Sequence, residues 1–434
     1  MIKYYVCIII NIIFFTSCSS GNNNIIPTEN INTKANTTIF PYPKTKYKIE
    51  LLDSTDINNT PETAETLFWK AIISYRKNRL KEAKKIMEKA KTLAFLYDSS
   101  WNGVIDEGLR CIYYDSKDFM KLYYLEKEKG EINPFINFLE NMSDKNVYML
   151  KGLTESGAVP LKEYQGDFTL PVTINGQGEE QFIIDTASNL TIISNEIAQK
   201  YKIIPMQLGI AGYDTRHLSA IQIKYAKIES LQIGDVTVYN VPVGIVETKS
   251  LTWKHLGMFT YFKIDGILGL PVLREFTTTI DYPKKVLTLS MNDVKSEEEA
   301  YDIFFVNSFI YVPIEINGTR GYNFCIDSAG EMTELYQNGL EHLKHFYSGE
   351  IKIEKTSKEI ETIYGRKDIY GVFFPKSFVI NNYSLQNTPL LISAYSVPEF
   401  ACEEHGNLGI DILKKFKVIW DFKNMKMYLS LPND

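Results

Sequence analysis

An internal duplication constrains this chain more than any other feature of its sequence. The segment LPVTINGQGEEQFIIDTA begins at Leu170, and it aligns without a gap to VPIEINGTRGYNFCIDSA, which begins 142 positions later at Val312. Both segments contain a proline, an Ile-Asn-Gly turn and a phenylalanine, and both contain an aspartate, Asp185 in the first and Asp327 in the second. The two segments are therefore copies of one unit.

A second matched block shows that the duplicated unit has the size of a domain. GILGLPVL from Gly266 is matched by GNLGIDIL from Gly406, 140 positions later. Repeat arrays usually have periods of about 20–50 residues, whereas these units of about 135 residues are domain-sized. We name them repeat 1 (158–292) and repeat 2 (300–434) and expect each to fold as one lobe.

The two aspartates predict a paired site. Homologous domains in one chain tend to pack about a pseudo-twofold axis, which would place Asp185 beside Asp327. Two carboxylates about 3 Å apart cannot both ionise easily, so such a pair holds one proton over a broad pH range. The ionised member can take a proton from a water that attacks a carbonyl carbon, while the protonated member polarises the carbonyl oxygen. The pair predicts amide hydrolysis without a covalent intermediate.

The sequence around each aspartate fits this role. Residues 182–184 and 324–326 are apolar and predict short buried strands, and each strand stops at a small polar turn that begins with the aspartate. A hydroxyl side chain follows each aspartate, Thr186 in repeat 1 and Ser328 in repeat 2. Because a hydroxyl both donates and accepts hydrogen bonds, we expect these two side chains to brace the turns across the axis.

These features resemble the retropepsin-like and pepsin-like aspartic proteases, whose lobes each carry a hydrophobic-hydrophobic-Asp-Thr/Ser-Gly turn. The segments that end at Gly269 and Gly409 resemble the hydrophobic-hydrophobic-Gly segment that passes behind the catalytic turn in that family. The resemblance covers residues 158–434. It implies a mostly β fold, with two homologous retropepsin/pepsin-like β-barrel lobes in one chain.

The resemblance also assigns roles to individual residues. It implies that Asp185 and Asp327 form the catalytic pair. The supporting residues would be Thr186, Ser328, Ala187, Ala329, Gly269 and Gly409. Both copies depart from the family at the third motif position, where Ala187 and Ala329 replace a glycine. If that position has a positive φ, alanine costs about 1 kcal/mol per copy, although its N–H can still bond the carboxylate.

A β-hairpin flap over the cleft is a further implication of the resemblance. Tyr213 in repeat 1 and Tyr364 in repeat 2 lie among turn residues between apolar segments and are the flap candidates. An ordinary hairpin turn with an exposed tyrosine explains either segment equally well, because turn dipeptides mark hairpins of every kind.

Three interpretations of the paired aspartates stay open. The first is an aspartic endopeptidase that hydrolyses a polypeptide substrate through a water shared between the two lobes. The second is a catalytically inactive pseudo-protease that binds peptides or acts as a scaffold at the cell envelope. In the third, each lobe pairs with its counterpart in a second chain, but the gap-free match and the short 293–300 connection favour pairing within one chain.

Other chemistries find little support in the sequence. None of the five histidines lies in an HExxH pattern or beside a CxxC, and no nucleotide-binding glycine loop is present, so we expect no metal and no cofactor. The net charge of −6 argues against a nucleic-acid partner. Cys325 replaces an isoleucine of repeat 1, which favours a buried apolar role, and a disulfide with Cys402 is left open.

The N-terminus predicts export and a lipid anchor. Residues 1–18 combine Lys3 with an apolar run too short to span a membrane, which is typical of a signal peptide. The sequence Phe-Thr-Ser-Cys ending at Cys18 resembles the lipobox of bacterial lipoproteins, and cleavage elsewhere is the alternative. Residues 19–60 are rich in Asn, Thr and Ser and predict a disordered linker. We therefore expect a lipid-anchored protein that faces the periplasm or the cell surface.

Residues 61–150 predict a separate α-helical region. Apolar residues recur there at helical spacing, and the pattern resembles one tetratricopeptide-like (TPR-like) hairpin with Asn78 at its turn. One or two hairpins are too few for a free-standing solenoid. We expect this region to lean on the first lobe as a structural extension, with binding of a protein partner as the alternative.

Overall fold

A computed structural model describes most of the chain outside the N-terminus. The residues described are 6–7, 60–128, 134–142, 146–152, 154–164, 166–206, 210–214, 219–255, 259–294, 296, 298–355, 359–362, 365–393 and 404–432. Strands account for more of these residues than helices do, so the chain is mostly β, as the sequence predicts. Among the described residues we find no helix with the length and apolar character needed to cross a bilayer.

Five α-helices precede the repeats in the part of the chain that the structure describes. They are α1 (Ala64–Arg76), α2 (Leu80–Tyr97), α3 (Asn102–Asp115), α4 (Phe119–Glu128) and α5 (Pro134–Met142). A capping box starts α1, in which Thr63 Oγ1 accepts from Thr66 N at 3.1 Å and Thr66 Oγ1 accepts from Thr63 N at 2.8 Å. Asn78 has φ 55° between α1 and α2, a conformation that asparagine adopts more readily than most residues. The two helices pack against each other at this predicted turn.

Short strands make up most of both repeats. The strands up to the end of repeat 1 are β1 (Val6–Cys7), β2 (Met149–Lys151), β3 (Val159–Pro160), β4 (Lys162–Tyr164), β5 (Asp167–Ile174), β6 (Gln177–Asp185), β7 (Thr191–Ser194), β8 (Ile210–Asp214), β9 (Ser219–Ile233), β10 (Val236–Val246), β11 (Thr252–His255), β12 (Phe259–Lys263), β13 (Gly266–Gly269), β14 (Thr277–Asp281) and β15 (Val286–Ser290). The strands of repeat 2 are β16 (Tyr301–Asp302), β17 (Phe304–Val306), β18 (Phe309–Ile316), β19 (Thr319–Ile326), β20 (Glu334–Leu335), β21 (Ile353–Lys355), β22 (Glu359–Thr362), β23 (Gly365–Phe373), β24 (Phe378–Ile380), β25 (Tyr383–Leu385), β26 (Leu390–Ser393), β27 (Gly406–Leu408), β28 (Lys417–Asp421) and β29 (Lys426–Ser430). The helices among these strands are α6 (Asn195–Lys200), α7 (Leu270–Leu273), α8 (Gln337–Phe346) and α9 (Ile410–Leu413).

The two repeats share the same strand pairing around their aspartates. In repeat 1, β13 runs parallel to β6 and antiparallel to β7, within a sheet of order β2-β10-β7-β13-β6-β5-β9-β8. In repeat 2, β27 runs parallel to β19 and antiparallel to β20, within a larger sheet of order β1-β22-β23-β26-β20-β27-β19-β18-β24-β25. The duplicated sequence therefore builds the same local arrangement twice.

A six-stranded sheet joins the repeats. Its order is β16-β29-β28-β14-β15-β3, so three strands of repeat 2 are followed by their three counterparts from repeat 1 in reverse order. At its centre, β14 pairs antiparallel with β28, and Thr279 lies opposite Ile419, the residue 140 positions later that occupies the equivalent place. The pairing of equivalent residues makes this sheet symmetric about its central strand pair.

The helical region packs against both repeats. The carboxylate of Asp115, at the end of α3, accepts hydrogen bonds from Tyr75 Oη at 2.6 Å and from Ser308 Oγ in repeat 2 at 3.0 Å. The same carboxylate pairs with Arg274 of repeat 1, and both side chains are buried. Tyr114 Oη donates to Asn189 O in repeat 1 at 2.8 Å. The helices thus contact both repeats, where the sequence predicts contact with the first lobe.

Candidate active site

Each repeat places its aspartate at the end of a buried strand. Asp185 is the last residue of β6, and Asp327 follows β19 directly. Both residues are 0% exposed. The N–H of Ala187 donates to Asp185 Oδ1 at 2.8 Å, and the N–H of Ala329 donates to Asp327 Oδ1 at 3.0 Å. The backbone of each turn therefore holds its own carboxyl group by the same hydrogen bond.

The two alanines fit their turns. Neither Ala187 nor Ala329 has a positive φ, so the penalty that alanine would pay in the left-handed region does not arise. Both side chains are buried, and both N–H groups bond the aspartates. The replacement of glycine leaves the geometry of both turns intact.

Thr186 and Ser328 link the turns by two reciprocal pairs of hydrogen bonds. Thr186 N donates to Ser328 Oγ at 3.0 Å, and Ser328 N donates to Thr186 Oγ1 at 3.0 Å. Thr186 Oγ1 donates to Ile326 O at 2.7 Å, while Ser328 Oγ donates to Ile184 O at 2.8 Å. Each hydroxyl thus binds the residue before and the residue after the other repeat's aspartate. This bridge brings the two aspartates onto adjacent turns.

Gly269 and Gly409 lie directly behind the turns. A Cβ at Gly269 would lie 2.6 Å from Leu190 O, and a Cβ at Gly409 would lie 2.6 Å from Gly330 O. Both glycines have negative φ values, so close approach of backbone is what requires them. Gly269 ends β13 and is paired in register with Asp185, and Gly409 directly follows β27, whose Leu408 is paired with Ile326.

Repeat 2 places an amide against its aspartate at a position where repeat 1 has an isoleucine. Asn407 Nδ2 donates to Asp327 Oδ2 at 2.9 Å, and Asn407 is 0% exposed. Ile267 occupies the equivalent position in β13. In the sequence, Asn407 is the one polar residue before Gly409 in a segment that resembles an apolar one, and this is the signal that could have identified it.

A third buried carboxyl lies near the pair. Asp167 begins β5 and is 7% exposed; burial first, and then the charge of Asp327, raise its pKa to about 7. Tyr282 is also buried, and burial followed by the charge of Asp327 raises its pKa. Neither residue has a sequence signal that separates it from ordinary strand and turn residues.

The structure describes the other predicted site residues only in part. Tyr213 lies on β8, which pairs antiparallel with β9, but the placement of its side chain is not described. Tyr364, Cys18 and Cys402 lie outside the described residues. Among the residues that are described, no group of three or more His, Cys, Asp and Glu side chains is arranged to hold a metal ion.

The comparison with protein families bears on repeat 1. Residues 170–272 match a family model described as aspartyl protease. This range includes Asp185 and Gly269. The match supports an aspartic protease fold and indicates a peptidase function. A search of curated proteins finds no match.

Solved structures give a weaker comparison. A crystal structure of the aspartic proteinase from Irpex lacteus is 12% identical, covers 64% of this chain and 97% of that chain, and aligns with a TM-score of 0.42.

Proposed function

We propose that the protein is an aspartic endopeptidase in which Asp185 and Asp327 activate one water between two retropepsin-like lobes. The reciprocal bridge between Thr186 and Ser328 carries this proposal, because it ties the residues on both sides of one aspartate to those on both sides of the other. We expect such a bridge to set the two carboxyl groups side by side.

The buried surroundings suit a shared proton. Both aspartates are fully buried, so two adjacent negative charges would be costly, and one carboxyl group keeps its proton. The ionised carboxylate accepts a proton from the attacking water, and the neutral carboxyl donates a hydrogen bond to the carbonyl oxygen of the substrate. When the tetrahedral intermediate collapses, the proton held by the pair passes to the leaving amine. The substrate class is a polypeptide.

The test is cleavage of a diverse peptide library by the purified full chain from acid to neutral pH. Asp185→Asn and Asp327→Asn, each made alone, should lower kcat/KM by about 10²–10⁴-fold, because either change removes one half of the acid–base pair. Asp293→Asn is the matched control, since its side chain is 77% exposed. The control should cleave like the wild type.

Two outcomes would contradict the proposal. If one aspartate variant kept full activity, the pair would not be shared. If a folded wild type cleaved nothing at any pH, the peptide-binding pseudo-protease would become the better interpretation, and the same library should then be screened for peptides that bind.

We propose that the TPR-like helical region supports the two lobes rather than binding a partner, and the Asp115 contact with both repeats supports that role. Export and lipid attachment at Cys18 would place the cleft in the cell envelope. Incorporation of labelled fatty acid, lost in Cys18→Ser, tests that location.

A further inference from the structure

The two repeats differ in the residues that back their aspartates. In repeat 1 the three positions around the end of β6 are isoleucines: Ile267 pairs in register with Ile183 and with Ile192. In repeat 2 the three equivalent positions hold Cys325, Glu334 and Asn407, in the same pairing. All six residues are buried. Three isoleucine side chains in repeat 1 therefore correspond to a thiol, a carboxyl group and an amide in repeat 2.

The amide of Asn407 requires a small residue in the turn. A Cβ at Gly330 would lie 2.6 Å from Asp327 Oδ2 and 2.9 Å from Asn407 Nδ2, so glycine leaves the space that the amide needs. Ser188 occupies the position of repeat 1 that is equivalent to Gly330. The repeats therefore differ at both positions, with Gly330 and Asn407 in repeat 2 and Ser188 and Ile267 in repeat 1.

We propose that Asn407 is a positioning residue that makes Asp327 the ionised, proton-accepting member of the pair and leaves the proton on Asp185. The inference rests on the proposed function for its mechanistic meaning. Its physical basis is the amide N–H donated to Asp327 Oδ2, because a hydrogen bond donated to a carboxylate stabilises the ionised form. In repeat 1 the equivalent side chain is that of Ile267, which has no N–H to donate.

Other titratable groups lie around the same turn, and their effect on the ionisation of Asp327 is opposite to that of Asn407. Those on the elements packed around it are Asp185, Asp167, Tyr282, Glu334 and Asp411. All but Tyr282 are carboxyl groups, and a neighbouring negative charge disfavours ionisation of Asp327. Asn407 provides a donated hydrogen bond that opposes their effect.

The first experiment compares pH profiles of kcat/KM for the wild type, Asn407→Leu and Ile267→Leu. Activity requires an ionised carboxylate. The acid limb of the profile, where kcat/KM falls as the pH is lowered, therefore reports the protonation of that carboxylate. Removal of the donor should move that limb to higher pH by about one to two units. Ile267→Leu changes the equivalent apolar residue, so its acid limb should stay in place.

Glu334→Gln separates the effect of the amide from that of the carboxyl group beside it. Because glutamine carries no negative charge, this variant should leave the acid limb in place or move it to lower pH. An unchanged limb in Asn407→Leu, or a shift to lower pH, would overturn the proposal.

A second measurement needs neither cleavage nor a folded Asn407 variant. The aspartates of the wild type are labelled with carboxyl ¹³C and titrated by NMR, with Asp185→Asn and Asp327→Asn used to assign the two signals. Asp327 should lose its proton at the lower pH. If the wild type cleaved no peptide but Asp327 still ionised first, the proposed function would fail while the role of Asn407 stood. If Asp185 ionised first, the role of Asn407 would fail whatever the activity.

Discussion

The contact between the two repeats and the contact between the helices and the repeats are built in opposite ways. Between the repeats every hydrogen bond of the Thr186–Ser328 bridge occurs twice, once in each direction. The helices instead converge on one buried carboxylate, Asp115, which meets Arg274 on one side and Ser308 on the other. The first contact follows from duplication, since one motif supplies both halves. The second depends on residues that occur once.

The helical contact uses positions where the repeats have diverged. Arg274 of repeat 1 corresponds to Lys414 of repeat 2, and Ser308 of repeat 2 corresponds to Gly166 of repeat 1. A point-charge ammonium cannot reproduce the planar guanidinium that reaches both the side chain and the main-chain carbonyl of Asp115. These differences favour one docking orientation of the helices on the two repeats.

The largest expected effect comes from breaking the helical contact at its centre. Asp115→Ala leaves Arg274 buried without its partner, which should lower the free energy of unfolding by about 3–5 kcal/mol. Urea unfolding followed by circular dichroism measures the change. Asp293→Ala breaks an ion pair with Lys423 whose two side chains are mostly exposed, and it should change stability little. Equal effects for the two variants would mean that the helices contribute nothing through Asp115.

A pH-dependent effect is expected at the contact between the repeats. Burial first, and then the charge of Asp327, raise the pKa of Asp167 to about 7, above the value of about 3.9 in an unfolded chain. The folded state therefore binds more protons than the unfolded state from about pH 4 to 7, and stability from this group is lost as pH rises through that range.

Asp167→Asn removes this dependence. Measured against the wild type, the variant should gain about 2–4 kcal/mol in free energy of unfolding between pH 4 and pH 8. Chemical denaturation at both pH values tests this, with the exposed Asp235→Asn as the control. A difference that stays constant with pH, or grows in favour of the wild type, would rule out a protonated Asp167.

The smallest effect concerns the reciprocal bridge. Thr186→Val and Ser328→Ala each remove one hydroxyl and should cost about 1–3 kcal/mol. Because both hydroxyls belong to one network, the double variant should cost less than the sum, with a coupling of about 0.5–3 kcal/mol. Thr186→Ser keeps the hydroxyl and serves as the control. Strictly additive losses would show that the two halves act independently.

These contrasts also explain what the sequence could predict. The gap-free duplication predicts both turns and their strands. From the sequence alone, residues 236–246 and 286–290 are expected to form strands, and β10 and β15 have these bounds. Residues 333–346 are expected to form a helix, but α8 begins at Gln337, because Glu334–Leu335 forms β20 between two other strands. Tertiary pairing there overrides local helical preference.

The polar contacts were harder to predict. Arg274 and Asp115 are far apart in the sequence, and no periodic pattern joins them. Asn407 lies in a segment that resembles an apolar one, so only its register against β19 reveals the hydrogen bond to Asp327. Duplication predicts what the repeats share, whereas their differences become meaningful only when the strands are aligned in space.

The symmetric joining sheet also has a consequence for synthesis of the chain. β14 pairs with β28, which begins 140 residues later. At about 5–20 residues per second, the edge of β14 waits roughly 7–28 s for its partner to be translated. An unpaired strand edge is a template for pairing with another chain. Until β28 is in place, this edge of β14 is open to pairing with a second copy of the chain.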